Sequence, residues 1–132
     1  MSRELIRPPG TPPFMSQAVK VDRLVFVSGQ VAVGPDGKVV GEGDIGAQAR
    51  QCFRNIEAVL AEVGAGLGDI VKLTAFVASQ DLAAGYLAVR QELFTTDPPA
   101  STTVVAPTIV PGLLVEIECV ALVPEGTGTA EG

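Results

Sequence analysis

The 132-residue sequence contains no histidine and no tryptophan. Without an imidazole it cannot build a Ser-His-Asp triad, a Cys-His pair or an HExxH zinc site, so any chemistry must run on carboxylates, hydroxyls, backbone amides and water. Cysteine is scarce too. Cys52 and Cys119 stand too far apart in sequence for a metal pair and are too few for a disulfide framework, which fits a reducing compartment. Positive charge is in deficit, with nine Lys and Arg against fifteen Asp and Glu and a net charge of −6. The basic residues are scattered, with no stripe and no interleaved aromatics, so nucleic acid is not an expected partner. There is no run of about 18 apolar residues, and residues 1–13 lack the apolar core of a signal peptide. No membrane association and a cytoplasmic location are therefore expected.

What the sequence has in abundance is aliphatic. Apolar residues make up 47% of it, charged ones 18% and aromatic ones 5%. Val, Ala, Leu and Ile suit a sheet core, and there is more apolar surface here than a small monomer easily hides. One domain that associates with copies of itself is the expectation.

Residues 1–13 hold four of the ten prolines and read as an extended arm, lying along the body or free of it. Residues 15–21 and 24–33 read as strands joined by a two-residue turn at Asp22-Arg23. Pro35-Asp36-Gly37 makes a further turn before a short strand at Val39-Val40. From Ile45 the apolar period becomes helical through Val63, with Asp44 placed as the cap and Gly64 to Gly68 as the stop. A strand over 70–78 follows, then a helix from about Asp81 with Leu82, Tyr86, Val89 and Leu93 on one face, which Gly85 weakens slightly. Strands over 101–106 and 113–123 complete the order βββ-α-β-α-ββ, and residues 124–132 read as a flexible tail. The fold class is α+β, a sheet with both helices on one face, and the sheet's other face needs a partner.

Three segments carry a resemblance. Ser16-Gln17-Ala18-Val19 with residues 24–30 (LVFVSGQ) is the first. Gly43-Asp44-Ile45, Gln48-Ala49-Arg50-Gln51 and Asn55-Ile56, running into Asp69-Ile70-Val71-Lys72-Leu73-Thr74 and Phe76-Val77, make the second. Pro98-Pro99-Ala100, Thr102 to Val104 and residues 114–121 (LVEIECVA) make the third. In this order they resemble the RidA/YjgF family of reactive-intermediate deaminases over residues 14–123. The resemblance implies a chorismate-mutase-like fold with a mixed sheet, a homotrimer with small-molecule sites between subunits, and hydrolysis of enamine or imine intermediates to a keto compound and ammonia. It implies no metal and no organic cofactor.

Glu116 is the expected catalytic residue: it aligns with the family's site glutamate, and a partly buried carboxylate can position water and carry a proton. Period two places Glu118 on the same face, where a structural role is expected of it. The resemblance assigns substrate contact to Met15, Ser28, Gly29, Tyr86, Ser101, Thr102 and Thr103. Two of these depart from the family pattern. Ser101 stands where deaminating members carry the arginine that binds the substrate carboxylate, and a hydroxyl offers neither charge nor a bidentate fork. Met15 stands where a tyrosine is frequent. A substrate without that carboxylate, or a replacement cation from Arg90, Arg7 or Lys72, would account for the loss; the sequence leaves the choice open. Two function classes follow, an enamine or imine deaminase with an altered substrate, and a non-catalytic small-molecule-binding trimer. An endoribonuclease activity is disfavoured by the charge and the missing histidines. Cys52 and Cys119 read as buried fillers.

Overall fold

In the computed structural model, which describes residues 2–125, apolar residues alternate between core and surface along residues 115–122 and, after one irregularity, along 70–77. That period of two is what a half-covered strand requires. The strands are β1 (Arg3–Ile6), β2 (Ala18–Val21), β3 (Leu24–Val31), β4 (Ile70–Val77), β5 (Ala100–Val105) and β6 (Val115–Leu122), with helices α1 (Ile45–Ala61) and α2 (Ala83–Leu93). They form one six-stranded sheet in the order β1-β2-β3-β6-β4-β5. Only β4 and β5 pair in parallel, so the sheet is mixed, as expected.

Two of the expected opening elements differ. The proline-rich arm is not an unpaired extension: Arg3–Ile6 pairs antiparallel with β2, and Arg7 pins the following loop by donating to the carbonyls of Met15 and Pro12. β-Branched and aliphatic partners on β2 offered an open strand edge, and pairing satisfies the arm's backbone groups. The strand expected at Val39-Val40 reduces to a single bridge between Val33 and Val39. Most of the tail expected to be flexible lies outside the described residues.

The first helix starts at its predicted cap, where the Asp44 side chain accepts from the amide of Ala47 at 3.0 Å. Its apolar stripe, with Cys52, Phe53, Ile56 and Leu60, is buried against Val25, Ile117, Cys119 and their neighbours in one core. Gly85 has a role beyond weakening α2, because a Cβ there would stand 2.5 Å from Ile45 Cγ2, so its absence lets the two helices close. Among the described residues no helix covers the opposite sheet face. Across it runs a lateral row of Leu5, Val19, Phe26, Val120 and Lys72, and Leu24 pairs with Leu122 beside that row. Leu5, Leu24, Phe26 and Leu122 are all exposed on this face.

Candidate functional site

Pairing between β3 and β6 is regular from Leu24 to Val27 and resumes at Gln30, which faces Ile117. Between them Ser28 and Gly29 oppose Glu118 alone, a bulge that bends β3 and turns its backbone toward the adjoining residues of β6. Glu116 lies against this bulge. An added Cβ on Gly29 would overlap its Oε2 and crowd its Cδ, so glycine is what leaves room for the carboxylate. Glu116 is half-buried, paired laterally with Val31 and Phe76, and no donor among the described residues forms a hydrogen bond with it. A carboxylate with unused lone pairs beside an irregular backbone segment can accept a proton from water.

Ser28 has less freedom than expected. Its amide donates to the Gln17 carbonyl at 2.9 Å and its hydroxyl to the Ser16 carbonyl at 2.7 Å. Both protons are therefore spent inside the chain, and toward a ligand the hydroxyl remains an acceptor. The substrate contact expected of Ser28 is thereby narrowed to its hydroxyl oxygen. Met15 and Ser28 line one shallow concavity of about 500 Å³ together with Phe14 and Arg7. Met15 and Gly29 also line a larger one of about 580 Å³, between the arm and α1.

Two glutamines that sequence reasoning left without a role hold this region in place. Gln30 donates to the Gln17 side chain at 2.9 Å and to the Ser28 carbonyl at 3.1 Å, clamping both sides of the bulge. Gln48, fully buried on α1, donates to the carbonyls of Gly41 and Gly112 and accepts from the Leu114 amide at 2.8 Å. It thus fixes the start of β6 two residues before Glu116. The available signal was a polar side chain on an otherwise apolar stripe, at a position where burial demands partners.

The remaining expected residues gather elsewhere. Ser101 pairs with Leu73 and Thr103 with Ala75, both core residues, so these two side chains lie on the helix face of the edge strand β5. Thr102 pairs with Thr74 on the open face, where Lys72 Nζ donates to Thr102 Oγ1 at 3.0 Å, Thr74 Oγ1 at 3.3 Å and the Leu73 carbonyl at 3.1 Å. From α2, Arg90 donates to Ser101 Oγ at 2.7 Å, and its guanidinium carbon lies 5.8 Å from the centre of the Tyr86 ring. Tyr86 is itself inside the core, which corrects its expected contact with substrate. Among the described residues none meets its hydroxyl at full hydrogen-bond geometry, although the Arg90 side chain stands close to it. Burial raises its pKa, and the nearby Arg90 charge offsets part of that rise.

One chain therefore does not unite the predicted site. Along β4, Phe76 faces Glu116 and Leu73 faces Ser101, three residues and about 10 Å apart, with side chains on opposite faces of the sheet. The residues fall into two groups, Met15, Ser28, Gly29 and Glu116 about the β3 bulge, and Ser101, Thr103 and Arg90 on the helix face at the β5 edge.

A family model described as endoribonuclease L-PSP matches residues 7–123. The chain belongs to the YjgF/RidA family. Among relatives of this Rid protein, the mitochondrial protein mmf1 of Schizosaccharomyces pombe is 39% identical over 110 residues, covering 81% of this chain and 67% of that one. A RutC family protein of Pyrococcus abyssi is 35% identical, covering 80% and 84%. The crystal structure of the Rid family protein YyfA from Yersinia pestis superposes with a TM-score of 0.85 at 33% identity, over 92% of this chain and all of that one. The Rid fold is thus shared across the whole sheet and both helices. No helix among the described residues is long and apolar enough to cross a membrane.

Proposed function

We propose that this Rid protein is a hydrolytic deaminase of enamine and imine intermediates, acting as a homotrimer whose sites form where the two half-sites of neighbouring chains meet. The Glu116 carboxylate, unpaired and held against the Ser28-Gly29 bulge, carries this reading. In the imine form of the substrate, water adds to the C=N carbon as Glu116 takes one of its protons. Glu116 returns that proton to nitrogen, giving the carbinolamine; it then takes the proton of the carbinolamine hydroxyl and passes it to the same nitrogen as the C–N bond breaks, so that a carbonyl compound and ammonia leave. The sum is imine plus water giving ketone plus ammonia, with no change of oxidation state and no cofactor required.

The apolar open face, with Phe26, Val120 and Leu122, supports the assembly, since surface of this kind marks contact between chains. Buried, unpaired Cys52 and Cys119 suit a reducing compartment, and the cytoplasm is the location we infer. A non-catalytic metabolite-binding trimer is favoured by one observation, the replacement of a charged side chain by Ser101. Purified protein added to a dehydratase that generates 2-aminoacrylate from serine separates the two readings. Faster ammonia release that Glu116→Gln abolishes supports the deaminase, while ligand-dependent stabilisation without ammonia release supports the binder.

A further inference from the structure

Ser28 and Gly29 share one partner on β6, so the β3 bulge takes backbone groups out of the ladder, and something else has to fix their positions. Ser28 is held at three points, none of them on β6. Its amide donates to the Gln17 carbonyl, its hydroxyl donates to the Ser16 carbonyl, and its own carbonyl accepts from Gln30 Nε2. That last contact comes from two residues further along the same strand, so it brackets Gly29 between two fixed neighbours. Gln17 is tied down in turn, since its amide donates to the Ile6 carbonyl at 2.9 Å and its side-chain oxygen accepts the second N–H of Gln30 at 2.9 Å.

Three properties suit glutamine to position 30. Its side chain is buried, with the residue only 9% exposed, so its polar end needs partners. Its amide has two N–H donors, and both are used. It is also neutral, so it fixes the bulge without adding a charge one ladder position from Glu116. A glutamate there would offer no donor, a lysine would bring a charge, and a methionine would only fill the space. The clearance being held has no slack, because one carbon added to Gly29 would overlap Glu116 Oε2 and stand 2.8 Å from its Cδ.

We propose that Gln30, seated on Gln17, is a positioning residue of the site: it holds the Gly29 backbone at the separation from Glu116 at which the carboxylate meets water and the imine carbon, and it does not itself touch the substrate. The contacts run from Ile6 through Gln17 and Gln30 to Ser28, so the seating of the arm is part of the geometry at Glu116. A misplacement of about 1 Å between a base and its reactants costs about 100-fold in rate, which lets hydrogen bonds of ordinary strength decide the outcome. The kinetic side of this inference rests on the deaminase reading; the placement of Gly29 against Glu116 does not.

Two substitutions separate the donors from the volume they occupy. Q30M keeps the size of the side chain and removes both donors, while Q17M, at a half-buried position, removes only the acceptor between the two glutamines. In the coupled dehydratase assay Q30M should release ammonia at least about tenfold more slowly than wild type, with Q17M between them and Q17M/Q30M no slower than Q30M. G29A displaces the same carboxylate directly, so G29A/Q30M should be no slower than the slower of its parents, because two changes acting through one contact do not multiply. In carbon and nitrogen NMR spectra of the intact protein, the Glu116 carboxyl and Gly29 amide signals should move in Q30M and in Q17M while the α2 amides stay in place. Q17M carries the same two readouts if Q30M does not fold. Wild-type rates in the glutamine variants, multiplied losses in G29A/Q30M, or unmoved Glu116 and Gly29 signals overturn the proposal. A wild type that releases no ammonia sinks the deaminase reading alone, and the spectra then decide this one.

Discussion

Glu116 occupies the space that a side chain at position 29 would need. The atom in the way is the far end of a flexible carboxylate and not backbone, so the chain can admit a methyl group by swinging Glu116 aside. Gly29→Ala should therefore leave the melting temperature nearly unchanged and cut ammonia release by an order of magnitude or more, a scale set by general-base contributions of about 100-fold or greater. Thermal melts and the coupled dehydratase assay, run on the same preparation, check this. A large loss of stability with normal specific activity would contradict it.

Gln48 satisfies three backbone groups from inside the core. Gln48→Ala removes those partners together and leaves carbonyls and an amide without replacement, at about 1–3 kcal/mol for each stranded group. A destabilisation of about 2–5 kcal/mol in urea unfolding is expected, and amide exchange should rise in residues 112–116 more than in α2. Gln48→Glu, similar in shape, should not restore stability, because its carboxylate would face the Gly41 and Gly112 carbonyls.

Burial pushes the thiols of Cys52 and Cys119 up to about 12 from 9.0, with smaller upward contributions from the charges of Glu116 and Glu118 respectively. In the unfolded chain both thiols release protons near pH 9, while the folded chain holds them, so the unfolded state binds fewer protons between about pH 9 and 12. Stability should be unaffected by these groups below pH 9 and fall above it, by about 1.4 kcal/mol per pH unit for each thiol. Urea unfolding of wild type and of C52A/C119A across pH 8 to 10.5 checks the slope, which should be shallower in the double variant. At pH 8 the native protein should react with a thiol reagent far more slowly than the protein in denaturant.

If sites combine half-sites from neighbouring chains, two inactive variants can complement. Co-refolding E116A with R90Q in equal amounts should regenerate about one quarter of the wild-type sites, because a site is intact when one chain supplies Arg90 and its neighbour Glu116. Both groups acting from the same chain would give no recovery at all.

The core was readable because its rules are local. The helical stripe from Ile45, the Asp44 cap and the alternation along residues 115–122 each follow from side chains in one segment, and each was found where the sequence put it. The edges were not, because edge pairing depends on what lies beside a strand: nothing within residues 1–13 announces that β2 offers a vacant edge, and nothing at Val39 says that one bridge is all it forms. The same limit governs the site. Glu116 could be singled out from its strand and its family likeness, but its relation to Gly29 arises from a bulge in another strand. Tyr86 shared the helical face correctly and was for that very reason buried. Arg90 could be named as a cation, but its contact with Ser101 depends on how α2 packs beside β5.

Residues 3–6 give the paired start of the chain a practical meaning for anyone shortening this protein. Their position ahead of the proline-rich loop invites trimming as an ornament, but removing them would strip β2 of its outer neighbour and leave a row of unpaired amides and carbonyls next to an already greasy sheet. Such a shortened chain should be sought in inclusion bodies and high-molecular-weight fractions, and a purification handle placed ahead of Arg3 would lie directly at the margin of the sheet.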